Sequence, residues 1–75
     1  MLLTDLINQR VSIRFANKHG DYSEIGGQIT RVDETSVVFQ IEDNGFIVIN
    51  QERIDYISDA NMSIIWRKET EANEV

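Results

Sequence analysis

Nucleophilic catalysis needs a nucleophile, a base and a group that orients the base, all within hydrogen-bond reach. This chain has no cysteine and one histidine, His19. His19 stands in Asn17-Lys18-His19-Gly20-Asp21, a run of turn-forming residues that places no catalytic partner beside it, and it reads as a solvated loop residue. Two carboxylate pairs, Asp33-Glu34 and Glu42-Asp43, are of the type that does acid–base work or holds a hard cation. Each sits at the end of a strand-like run, where acidic residues commonly form turns, and no further acid falls at ligand spacing. The Gly26-Gly27 pair lacks the spacing and the lysine of a phosphate-binding loop. The expectation is a protein without catalytic residues, metal ligands or cofactor, and not an enzyme.

Nucleic-acid affinity rests heavily on Lys and Arg that neutralise phosphates. The seven bases here (Arg10, Arg14, Lys18, Arg31, Arg53, Arg67 and Lys68) are spread along the chain, and the net charge is −6. Three of those negative charges lie in Glu69-Thr70-Glu71-Ala72-Asn73-Glu74-Val75, which leaves residues 1 to 68 mildly acidic at −3. Such a balance counts against RNA or DNA while leaving room for a local patch. That patch would draw on Arg14, Lys18, Arg31 and Arg53 for phosphates and on Tyr22 as the best exposed aromatic for base stacking. Phe15, Phe39 and Phe46 read as core, and Trp66 as packed against it.

These residues must be positioned by a very small fold. Seventy-five residues make one domain, expected over 1 to 68 and followed by a disordered acidic tail over 69 to 75. A domain of this length buries only roughly 60% of the surface of its unfolded chain. Disulfides are excluded and a metal is not provided for, so self-association is the leading source of added stability. No apolar run approaches the ~18 residues that span a membrane, and no basic segment precedes Leu2-Leu3. The chain reads as a soluble, cytoplasmic protein.

Leu2, Leu3, Leu6 and Ile7 recur at helical spacing and predict a short N-terminal helix over one end of the fold. Val11, Ile13 and Phe15 then alternate with polar residues as in a half-buried strand. In the next strand Ile25, Gly27 and Ile29 share a face whereas Val32 has the opposite parity, so a bulge intervenes or the strand ends. Gly26 and Gly27 mark the bend of that strand, a structural role rather than a ligand-binding one. Asp43-Asn44-Gly45 is the strongest hairpin signal. A two-residue loop there sets Val37, Phe39, Ile41, Phe46 and Val48 on one face and leaves Val38, Ile47 and Ile49 on the other. Three β-branched residues on an outer face require a cover, either the N-terminal helix or a neighbouring subunit, and mark a candidate oligomer interface. Ile54 and Ile57, three apart, suit a 3₁₀ turn leading into a strand, and Met62, Ile64 and Trp66 alternate as one more. Either piece supplies the last strand of an all-β fold.

The order of these elements, with Gly27-Gln28-Ile29-Thr30-Arg31-Val32-Asp33 at its centre, resembles the Sm-like fold, including the bacterial Hfq proteins, over roughly residues 2 to 59. The resemblance implies a strongly bent five-stranded barrel, related to SH3-like barrels, whose edge strands can pair between subunits into a ring. Its RNA-binding residues do not carry over. The asparagine that usually follows the motif aspartate is missing from Glu34-Thr35-Ser36-Val37. No Arg-Gly pair stands near Asn50 and Arg53, and the Tyr-Lys-His run of Hfq proteins is matched by Asn50-Gln51-Glu52. Partners expected on this basis are further copies of the chain and an unidentified protein, with RNA through another surface as the alternative.

Overall fold

The computed structural model describes residues 2–43 and 45–68, so the tail expected at 69–75 lies outside the described residues. Strands β1 (Arg10–Ala16), β2 (Tyr22–Val32), β3 (Ser36–Ile41), β4 (Gly45–Asn50), β5 (Ile54–Ser58) and β6 (Ile64–Arg67) form one antiparallel sheet in the order β4-β3-β2-β1-β5-β6. The class is all-β, as the alternating runs predict. The sheet has six strands rather than five, because both C-terminal candidates are strands, and its ladder ends at β4 and β6 instead of closing into a barrel.

The sheet is nevertheless rolled. β4 lies four places from β5 in the sheet, a distance of about 19 Å if the sheet were flat. Only the three-residue 3₁₀ turn Gln51–Arg53 joins them, and such a turn rises about 2 Å per residue. The two ends of the sheet therefore curl toward each other around a single core. Val11, Ile13, Ile29, Val37, Phe39, Ile49, Ile54 and Ile57 fill it from five strands, with Leu3 and Leu6 added from the N-terminus.

Local irregularities supply the curl. β2 slips register between Ile29 and Arg31, which returns Val32 to the core side opposite Val37; the parity change in the sequence is this bulge. Gly27 leaves no room for a side chain against β3: a Cβ there would collide with the Gln40 carbonyl oxygen and lie 3.0 Å from the Phe39 ring. Gly26 points outward with nothing nearer its Cβ position than the Val11 carbonyl oxygen at 4.0 Å, so only Gly27 is required by packing. In β5 Ile54 opposes Phe15 and Tyr56 opposes Arg14, which makes Asp55 the extra residue of a bulge. The three-residue spacing of Ile54 and Ile57 thus reflects that bulge, and the 3₁₀ turn precedes Ile54. A third slip, in β6, sets Ile64 opposite Ser58 and Trp66 opposite Ile57. Trp66 packs against the core while Ile64 and Met62 are exposed, so the three do not share a face.

The N-terminal helix reduces to a 3₁₀ turn, Leu3–Leu6. Its two buried leucines are three apart, the spacing that stacks side chains in a 3₁₀ helix. Ile7, in extended conformation, ends it; Asn8 follows at φ 71°, and its amide donates to the Ile29 carbonyl at 2.7 Å. Ile7 bridges Ile29 in parallel, so the segment lies along β2 on the core side and covers no outer face.

Hairpin geometry corrects the expected β3–β4 faces. Ile41 opposes Gly45, which puts three residues in the loop rather than two and shifts β4 by one. Gly45 adopts φ 85°, the left-handed conformation that closes three-residue hairpin loops. Val37 therefore opposes Ile49, Phe39 opposes Ile47, and Val38 opposes Val48. Ile49, expected on the outer face, is 2% exposed in the core and Ile47 packs beside it; Phe46 and Val48, expected inside, are 61% and 68% exposed.

Candidate interaction surface

The outer face of the β3–β4 hairpin is built from Val38, Phe46 and Val48. Val38 is half-buried, faces Val48 on one side and Arg31 on the other, and accepts a hydrogen bond at its carbonyl from the Thr30 hydroxyl at 3.3 Å. Phe46 and Val48 stand on β4 at the rim of the sheet, where no further strand adjoins them among the described residues. Of the three residues expected at an interface, Val38 alone lies on this face; Ile47 and Ile49 line the core side. Periodicity placed β3 correctly, with Val37, Phe39 and Ile41 inward and Val38 outward, but exchanged the two sides of β4, because loop length decides parity. Gly45 does not separate the two loop lengths, since both place glycine at φ above zero.

A groove of about 540 Å³ runs along the free edge of β4. Phe15, Ile47 and Val48 give it apolar walls, while Lys18 and Arg53 stand at its lip. Rolling of the sheet creates this groove, since it brings the end of β1 opposite β4.

The candidate nucleic-acid residues are divided. Arg14 and Tyr22 come together: the guanidinium lies 4.5 Å from the centre of the Tyr22 ring. In the same outward row Glu24, Arg14, Tyr56 and Arg67 lie side by side across β2, β1, β5 and β6. Arg14 also pairs with Asp55 at 3.4 Å, so acids share the row with the bases. Lys18 is exposed in the turn between β1 and β2, and Arg53 lies across the groove from it. Arg31 sits at the far end of β2 from Tyr22 and is held by Asp33 at 2.9 Å. The five do not form one patch.

The acids and the histidine serve turns. The Asp33 amide donates to the Ser36 carbonyl at 2.8 Å, and its carboxylate takes the Arg31 Nε. Glu42 pairs with Arg10 across the sheet. The His19 amide donates to Asn17 Oδ1 at 2.8 Å, and Asp21 donates to the same oxygen at 3.0 Å, while Gly20 takes φ 88°. Among the described residues no three His, Cys, Asp or Glu side chains converge as metal ligands would, and no helix is long and apolar enough to cross a membrane.

Searches against family models, curated proteins and solved structures return no match to this chain.

Proposed function

We propose that this chain is a non-enzymatic, self-associating small β-protein that acts through protein–protein contacts. One observation carries the reading: Phe46 and Val48 are 61% and 68% exposed on the outer face of an edge strand that bears no charged residue. Water contact with this apolar patch is unfavourable, and the outer edge of β4, which pairs with no other strand among the described residues, is a template for a further strand, so a partner strand covers part of the patch and completes the ladder. The short length of the chain and its lack of cysteine add support, because a small core gains most from association. The Sm-like resemblance over residues 2 to 59 is part of the proposal at the level of fold and edge-to-edge assembly. Light scattering from low to high micromolar concentration tests it: a mass that rises to a multiple of the monomer is expected, and a monomer throughout ends the reading.

An alternative is an Sm-like RNA-binding protein that uses a surface other than a ring pore. It is favoured by the contact of Arg14 with Tyr22 and by Tyr56 and Arg67 in the adjoining row. Glu24 and Asp55 beside Arg14, and the net negative charge, weigh against it.

A further inference from the structure

We propose that the free edge of β4 pairs antiparallel with the same edge of a second copy about a two-fold axis, with Val48 opposite itself. This rests on the self-association reading above and gives it a geometry, a closed dimer in place of a ring.

The two ends of the sheet are not alike. Natural sheets blunt their edges with short strands, charges and bulges. β6 has all three: four residues, a register slip at Ile65, and Arg67 followed by Lys68. It also occupies the edge of β5, so β5 offers no pairing site. β4 has none of these devices. Its six residues, Gly45–Asn50, run beside β3 without a slip and include no charge and no proline.

Charge selects a second copy as the occupant. An antiparallel strand on β4 brings the turn that precedes it against the residues that follow β4. In this chain the preceding turn holds Glu42 and Asp43, and the following segment holds Glu52 and Arg53, with Lys18 across the groove adding a second positive charge. Among the described residues Asp43 and Arg53 enter no ion pair. A two-fold dimer uses this match twice.

Charge also selects the register. A two-fold axis normal to the sheet keeps outer residues on the outer side, so it must pass through a residue facing its own copy, and Ile47 or Val48 gives the longest overlap. With Val48 on the axis, Ile47 faces Ile49 of the second copy, Phe46 faces Asn50, and the loop that holds Asp43 lies nearest the 3₁₀ turn that holds Arg53. With Ile47 on the axis, the second strand slides by two residues and the same loop and turn bring Glu42 nearest Glu52, a like-charge contact that occurs twice.

Because the chain has no cysteine, single introduced thiols report the geometry. Facing residues of an antiparallel pair have Cα atoms about 4.5–5.5 Å apart, within disulfide range. Val48→Cys is expected to cross-link under mild oxidation at least roughly tenfold faster than Ile64→Cys on the β6 edge. Phe46→Cys mixed with Asn50→Cys is expected to cross-link as well. Val48→Lys is expected to weaken association by roughly tenfold or more, while Ile64→Lys leaves it intact. Preferential cross-linking of Phe46→Cys to Val48→Cys, or of Val48→Cys to Ile64→Cys, overturns this pairing, as does an assembly larger than a dimer; self-association itself then stands. A monomer at high micromolar concentration overturns both.

Discussion

Gly27 and Gln40 lie so close across the β2–β3 ladder that a methyl group on Gly27 would strike the Gln40 carbonyl oxygen. The neighbouring Gly26 would meet nothing nearer than the Val11 carbonyl oxygen at 4.0 Å, although both belong to one glycine pair in one strand. This difference separates a bend that the fold requires from a residue it merely tolerates.

Gly27→Val is therefore expected to cost about 3 kcal/mol or more, since a backbone carbonyl cannot move aside as a side chain would. For a domain of this size that lowers the melting temperature by roughly 10 °C or more. Gly26→Val is expected to stay within about 0.5 kcal/mol of the parent, because its side chain points outward. Thermal unfolding of the pair followed by circular dichroism checks this; equal losses would remove the distinction.

The β3–β4 register gives a second contrast. Ile49 opposes Val37 in the core, whereas Val48 opposes Val38 on the outer face. Ile49→Val is expected to cost about 0.5–1.5 kcal/mol by removing a buried methyl group. Val48→Ser, measured in urea at a concentration low enough to keep the chain monomeric, is expected to change stability by less than about 0.5 kcal/mol. The reverse ranking would restore the two-residue loop and exchange the two faces.

How far the sequence carries is visible in these same residues. Alternation located the strands, since a half-buried strand leaves a period of two, and the mismatch between Ile29 and Val32 required either a bulge or a strand end, of which the structure has the bulge. Parity beyond the hairpin was not legible. Asp43-Asn44-Gly45 suits a two-residue or a three-residue loop, and one residue exchanges every side chain of β4 between core and surface. The bulges at Asp55 and Ile65 were hidden for a similar reason: a spacing of three between Ile54 and Ile57 has the same appearance in a helical turn and in a bulged strand. Arg14 and Tyr22 were named separately as candidates, but their contact depends on the β1–β2 register. Among the interface candidates Ile47 and Ile49 were misplaced, because parity alone put them outward, while Val38 lies on the outer face as expected.

Gln51 fastens the connection on which the roll depends. Its side-chain amide donates to the Asp33 carbonyl at 2.5 Å and to the Ser36 carbonyl at 3.4 Å, and its backbone amide donates to the Thr35 carbonyl at 2.9 Å. The 3₁₀ turn after β4 is thereby tied to the turn between β2 and β3. Gln51→Ala keeps the backbone bond and loses both side-chain bonds, with an expected cost of about 1 kcal/mol. Urea unfolding followed by fluorescence of Trp66, the only tryptophan in the chain, measures it. A cost below about 0.3 kcal/mol would mean that water replaces the amide without loss.

RNA binding is decided by salt. Phosphate contacts release counterions, so affinity carried by Arg14, Lys18 and Arg53 would fall steeply between 50 and 200 mM salt. Under the protein-contact reading, fluorescence titration with short uridine-rich and adenine-rich RNAs at low salt is expected to show no salt-sensitive binding. Binding that weakens with salt, and that Arg14→Ala and Tyr22→Ala each reduce, would move the function to the outer row of β1 and β2. Val48→Lys discriminates further. It adds positive charge at the lip of the groove, so it is expected to leave RNA binding by the Arg14 row unchanged or strengthened while it separates a dimer built on β4. Loss of RNA binding together with loss of the dimer would instead place the RNA on the assembled form.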